Sequence, residues 1–295
     1  MKKLITHNGS FHTDDIFACA ALSLMLEKKG EAFEIIRTRD EDIIKSGDYV
    51  FDVGGIYDSE TNRFDHHQIG GAGEREGIEY SSFGLVWKKF GKEFCLSEIV
   101  DLIDKKLVMP VDAFDNGIDL YKNNFENIFP YTIDDVLSIF SPTSLENTNK
   151  DEQFLKAVVL GKEILRREIK KVGDRIEITK IIQNFYKNSS DKRLVIIDKP
   201  KVSRYEVWNA LQDFPEPLFV AYGDNDGWAV VAIKKEKNSF GNRKDFPKSW
   251  GGLRDKELQD ITGEKDAVFC HNDLFFLVTN SKEAAIKLAQ IAVES

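Results

Sequence analysis

The sequence predicts an α/β protein: a parallel-sheet domain, then a smaller α/β domain, joined by a helical linker. Three observations predict it. Short β-rich runs alternate with helical stretches over residues 1–149. From 150 to 189 the pattern is continuously helical, with Phe154, Val158, Leu165 and Ile169 recurring every three or four places. Strand and helix patterns then resume over 190–295.

Taken in order, "KLIT" reads as a strand running into "HNGSFHTDD". "IFACAALSLMLEKKG" follows as a helix, which Thr13, Asp14 or Asp15 can cap and Gly30 ends. "FEIIRTR" (33–39) and "DYVFDVGG" (48–55) are strands, the second ending in a glycine turn. A short hairpin-like stretch precedes "RFDHHQ". "SSFGLVWKKFG" and "LSEIVDLIDKKLVMPVDAFD" read as helices. In the last domain "RLVIID", "PLFVAYG" and "WAVVAIKK" are strands and "RYEVWNALQ" is a helix. "AVFCHNDLFFLVTN" reads as one strand, and "SKEAAIKLAQIAVE" closes the chain as a helix.

Composition narrows the setting. With 42% hydrophobic and 31% charged residues, the chain is globular. Cys19, Cys95 and Cys270 are odd in number and far apart, which fits no disulfide framework or thiolate zinc site and suits a reducing, cytoplasmic compartment. No signal peptide is expected, since no apolar run precedes His7, and no membrane span, since no uninterrupted run of about 18 apolar residues occurs. The net charge of −9 weighs against a broad basic surface for nucleic acid but leaves room for a local groove. Residues 234–256 carry eight basic side chains against three acidic ones, with Phe240, Phe246 and Trp250 among them.

Ligands of open α/β sheets collect at the carboxyl ends of strands. Three chemical clusters fall at such ends: His7, His12, Asp14 and Asp15 after the first strand, Asp52 in "FDVGG", and Asp65-His66-His67. A fourth, "VDAFDNG", brings Asp112 and Asp115 to the end of a helix. Each residue has an ordinary explanation as a cap, a turn or a strand-end histidine. Jointly they do not, because four of the five histidines stand beside aspartates in two clusters. Converging carboxylates repel unless a cation joins them. Mixed nitrogen and oxygen donors suit manganese, zinc, iron or cobalt better than calcium. If the 65–67 segment is extended, His66 and His67 point apart and one at most is a ligand.

"VFDVGG" followed by "RFDHHQ" resembles the DHH phosphoesterase superfamily, although His12 stands where its usual opening motif has an aspartate. More closely, "THNGSFHTDD", "IIRTRD", "DVGGIYD", "RFDHHQ", "SSFGLVW", "VDAFDNGI" and "WGGLRDKEL" resemble, in the same order, the Myg-type exonuclease family, named after a melanocyte proliferating gene and formerly called metal-dependent protein hydrolases. The resemblance implies a DHH-type catalytic domain (1–149), a helical linker (150–189) and a C-terminal substrate-binding domain (190–295). It implies two divalent ions, manganese foremost with zinc, iron, cobalt or magnesium as alternatives, held by His7, His12, Asp14, Asp52, His66 and Asp115. Asp52 would bridge, Asp65 would orient a histidine, and His67 would face the phosphate. Asp15 and Asp112 are ligands, caps or supporting partners. Trp250, Gly251, Gly252, Arg254 and His271 would contact substrate, Arg254 also stabilising developing charge; Arg204 can reach a phosphate. The implied reaction is 3′-to-5′ exonucleolysis of RNA or short single strands, by a protein that does not engage membranes and can form oligomers. Two rivals are a hydrolase of pyrophosphate or a cyclic dinucleotide, and a non-catalytic metal-stabilised binding module.

Overall fold

The structure is a computed structural model that describes residues 1–295 except 225, 226 and 238. Asn238, inside the basic 234–256 stretch, therefore lies outside the described residues. The chain divides into two units, Met1–Gly173 and Asp174–Ser295.

The first unit opens with β1 (Lys2–Thr6), α1 (Thr13–Lys29), β2 (Phe33–Arg37), α2 (Glu41–Lys45) and β3 (Tyr49–Phe51). Short strands follow: β4 (Tyr57–Asp58), β5 (Arg63–Phe64), β6 (Glu74–Arg75) and β7 (Ile78–Glu79). Then come α3 (Ser82–Phe94), α4 (Ser97–Ile103), a π turn (Asp104–Val108), α5 (Met109–Asp115) and α6 (Ile133–Ser138). α7 (Lys150–Asn188) begins in this unit and ends in the second. The main sheet has the order β2-β1-β3-β5-β4, with β2, β1, β3 and β5 parallel and β4 antiparallel. The chain leaves β1 to one side for β2 and returns to the other side for β3. That reversal opens a crevice at the carboxyl ends of β1 and β3.

The crevice rests on a dense core. In α1, residues Thr13 to Ser23 are all buried, which explains a helix apolar nearly all round. Phe17 of α1 stacks on Phe83 of α3 with ring centres 5.1 Å apart.

The second unit holds β8 (Leu194–Ile197), α8 (Arg204–Leu211), β9 (Phe219–Asp224), β10 (Gly227–Ala232), α9 (Asp255–Thr262), β11 (Ala267–Cys270), β12 (Phe276–Thr279) and α10 (Lys282–Glu294). Its sheet order is β11-β12-β10-β9-β8, antiparallel except for β8 beside β9. The single strand expected at "AVFCHNDLFFLVTN" is instead the hairpin β11–β12. Its turn uses Asn272-Asp273 and Leu274 at φ +57°, and His271 Nδ1 accepts from the Asp273 amide. Among the described residues, no helix is long and apolar enough to cross a membrane.

Candidate metal centre

His7 leaves the end of β1, Asp52 the end of β3, and Asp65, His66 and His67 the end of β5. Because those strands are parallel neighbours, all three groups reach one edge of the sheet. The first turn of α1 adds Asp14 and Asp15, and the last residue of α5 adds Asp115.

Three overlapping donor groups result: His7, His12 and Asp52; Asp52, His66 and His67; His12, Asp14 and Asp115. Within each, donor atoms lie within 4.8 Å of one another. The Asp52 carboxylate stands between the first two. Its Oδ2 is 3.0 Å from His7 Nε2, and its Oδ1 is 3.4 Å from His66 Nε2. His66 Nε2 is also 3.3 Å from Asp115 Oδ2 and 3.8 Å from Asp14 Oδ2. Asp52 adopts φ +54°, a left-handed backbone that costs a non-glycine residue roughly 1–3 kcal/mol. Strain of that kind persists where the surroundings dictate a side-chain direction.

The structure also sorts the supporting residues. His12, in extended conformation, precedes α1, and its amide donates to Asp15 Oδ1 at 3.1 Å. Asp15 thus caps the helix, while its Oδ2 lies 3.3 Å from His7 Nε2. Asp14 is not needed as a cap, and its Oδ2 accepts from the Ser82 amide, at 3.3 Å. The hydroxyl of Ser82, a residue that carried no expectation, donates to Asp52 Oδ1. Asp65 Oδ1 accepts from both the amide and Nδ1 of His67, while its Oδ2 accepts from the Gly55 amide. His67 is thereby turned so that its Nε2 is the free ring nitrogen. The strand stops at Phe64, so His66 and His67 do not alternate, and both rings reach Asp52 with centres 4.2 Å apart.

Asp112 belongs to none of the three donor groups. Fully buried, it accepts from the Ser81 hydroxyl and amide, the Gly84 amide and Arg75 Nη1. It caps α3 from a different helix and fixes α5, which carries Asp115 one turn later. Arg37 was likewise unforeseen. Its buried guanidinium donates to the Gly9 carbonyl, pairs with Asp151 and stacks on Phe11 and Phe154, pinning the loop that carries His7 and His12.

The electrostatics follow from packing carboxylates together. Burial, then the charges of Asp52 and Asp115, push Asp14 far above the usual range. Burial raises Asp15 and Asp115 as well. For His7 burial disfavours the cation, but Asp15 and Asp52 outweigh it and push the imidazole up to about 10. Burial would raise Asp52, yet His66 and His7 hold it below the carboxylate range. Asp14 Oδ1, Asp15 Oδ2, Asp52 Oδ2 and His66 Nε2 are buried with no hydrogen-bond partner of good geometry among the described residues. Orphaned donors and acceptors of this type, with carboxylates resisting ionisation, are what a divalent-metal site presents before charge is supplied. His7 Nδ1 faces the Asn8 carbonyl at 3.1 Å, leaving Nε2 for coordination. The residues present fit such ions.

In the second unit Trp250 is 4% exposed and packs on Phe246 in the core, so its ring is not free to stack on a base. Arg254 is exposed, its guanidinium 4.3 Å from the centre of the Phe269 ring. Gly252 takes φ +78°, and a Cβ on Gly251 would lie 3.0 Å from Leu274. His271 is half-buried, its ring 4.4 Å from that of Phe275. Arg204 lies over Tyr205, Trp208 and Phe275, and Lys234 over Trp208. Trp208, Tyr205 and Phe275 carried no expectation, because their meeting spans α8 and the β11–β12 turn.

A parallel sheet with histidines and aspartates gathered at its switch point, two of them the adjacent histidines of an Asp-His-His triplet, defines an α/β protein with a candidate divalent-metal centre. The chain belongs to the MYG1 exonuclease family, described as "Uncharacterised protein family (UPF0160)", whose profile matches residues 3–293. It is 30% identical to the MYG1 protein of Chlamydia pneumoniae, over 98% of this chain and 96% of that one. It is also 30% identical to the MYG1 exonuclease of Mus musculus, over 97% of this chain and 83% of that one. Among solved structures, manganese-bound RecJ from Thermus thermophilus aligns with 100% of this chain and 52% of its own at 10% identity, with a TM-score of 0.28.

Proposed function

We propose that this chain is a metal-dependent phosphodiesterase that removes nucleotides 3′ to 5′ from RNA or short single strands, using two divalent ions, manganese foremost, in the cytoplasm. The carrying observation is Asp52, whose two oxygens face histidines of two separate donor groups. His7 and His12 would hold one ion with Asp52, and His66 would hold the other; Asp14 and Asp115 would complete the set. The chemistry such ions supply when bound is Lewis acidity toward a phosphate oxygen and a lowered pKa of water.

The chain's own residues supply orientation and protons. The hydrogen bond that His67 Nδ1 donates to Asp65 raises the His67 pKa, favouring an imidazolium whose Nε2–H can donate to a departing oxygen. His67 is 63% exposed, as a group that meets substrate must be. In the second unit, Arg204 and Lys234 interleaved with Trp208 and exposed Tyr205 combine charge with ring faces, the pairing that binds single strands. Arg254 adds a planar phosphate donor. The relatives named exonuclease support the same reading.

The test is digestion of end-labelled single-stranded RNA and DNA in manganese, then in chelator. Stepwise shortening is expected in manganese alone. Asp52→Asn should lower turnover by at least about a thousandfold while leaving circular dichroism unchanged. Full activity of that variant, or no cleavage of either polymer, would overturn the proposal.

A further inference from the structure

Resting on that reading, we infer that the first unit carries a pocket for one nucleobase, in which Asp134 accepts from the base's exocyclic amino group. A cavity of about 250 Å³ adjoins the donor groups. His12, Asp14 and Asp115 stand at its edge, and Phe11, Ile16, Val111 and Phe114 give it apolar walls. Its remaining lining is Thr13, Asp134 and Ser138, with no lysine or arginine. Beyond the donor groups at its edge the space offers a phosphate no basic side chain, whereas its apolar walls suit a flat, neutral ring.

Asp134 gives the pocket chemical selectivity. Its Oδ1 accepts from the Thr13 hydroxyl at 2.6 Å, and among the described residues this is its one hydrogen bond. Thr13 is the first residue of α1, next to Asp14, so the bond ties the reading carboxylate to the helix that supplies the metal donors. The second oxygen makes no hydrogen bond to the described residues and is open to a ligand, in a half-buried residue of a largely apolar cavity. An amino group satisfies it, as when a carboxylate accepts from cytosine N4. A carbonyl at the same place, as in uracil, sets two acceptors against each other. Phe114 is 55% exposed, leaving surface for the ring to cover.

The experiment compares cytosine with uracil, where an amino group exchanges for a carbonyl. Binding of the two nucleoside monophosphates, which are products and not consumed, is measured by calorimetry in manganese. Cleavage of dinucleotides varied one base at a time is measured alongside. The wild-type chain should favour cytosine by roughly tenfold in both. Asp134→Asn, with Asp134→Ser as the second variant, should bring that ratio below about threefold while retaining cleavage. Equal treatment of the two bases by the wild type, or an unchanged preference in both variants, overturns the pocket. Failure to cleave any dinucleotide sinks the phosphodiesterase reading instead, and the monophosphate titrations still decide the pocket.

Discussion

Replacing Gly84 with alanine sets two effects of opposite sign against each other. Alanine is the better helix former by about 1 kcal/mol, so propensity alone predicts a more stable protein. Geometry predicts the reverse. A Cβ on Gly84 would stand 2.7 Å from Asp112 Oδ1 and 2.8 Å from its Cγ. That carboxylate cannot swing away freely, being held by Ser81, the Gly84 amide and Arg75. Displacing it breaks at least two hydrogen bonds to a charged group, at about 1.5–3 kcal/mol each. The net is a destabilisation of about 2–5 kcal/mol, or a fall in melting temperature of roughly 5–15 °C. Differential scanning calorimetry reads the shift, and Trp87 on α3 gives a local fluorescence probe in the same unit. Because Asp112 also fixes α5, manganese affinity should fall with stability. A Gly84→Ala chain that melts at or above the wild-type temperature would refute the argument.

Arg37→Met keeps the bulk but removes the donor to the Gly9 carbonyl, so manganese affinity should drop about 10–100-fold in an equilibrium titration, and an unchanged affinity would remove Arg37 from the centre's support. Asp65→Asn takes away the bond and charge that raise the His67 pKa; the alkaline limb of the rate profile should move to lower pH, and a profile that stays in place counts against His67 as the proton donor. Manganese binding should release protons, because His7 lies near 10 and must lose its proton to coordinate. Affinity therefore rises with pH and falls on acidification, which calorimetry in buffers of different ionisation enthalpy measures; a pH-independent affinity contradicts the sign.

The parallel sheet and most of the centre were legible because each is local. Strand periodicity located β1 and β3, and a residue just past a strand end needs no tertiary information to be placed at the sheet edge. His7, Asp52 and His66 came from that logic and lie side by side, and Asp115, read at a helix end, stands 3.3 Å from His66. Spacing alone does not separate Asp14 from Asp15, since either fits a helix start; the resemblance names Asp14 a ligand and leaves Asp15 open, and the His12 amide shows that Asp15 caps. Asp112, Arg37 and Ser82 act through partners 31, 28 and 68 residues away, and no local pattern encodes such pairings. The β11–β12 turn was missed for another reason: Asn272-Asp273 is a turn signal, but the apolar residues on both sides outweighed it in a reading based on periodicity.

The crowding of acids around Asp52 has a consequence for how this chain would respond to selection. Without ions, the carboxylates that burial pushes up, Asp14 foremost, strain the native state, so a neutral amide at Asp14 should make the empty protein hardier. A laboratory screen for heat resistance in chelator would therefore discard the proposed metal centre early, and hardiness without the ions would come at the expense of binding them.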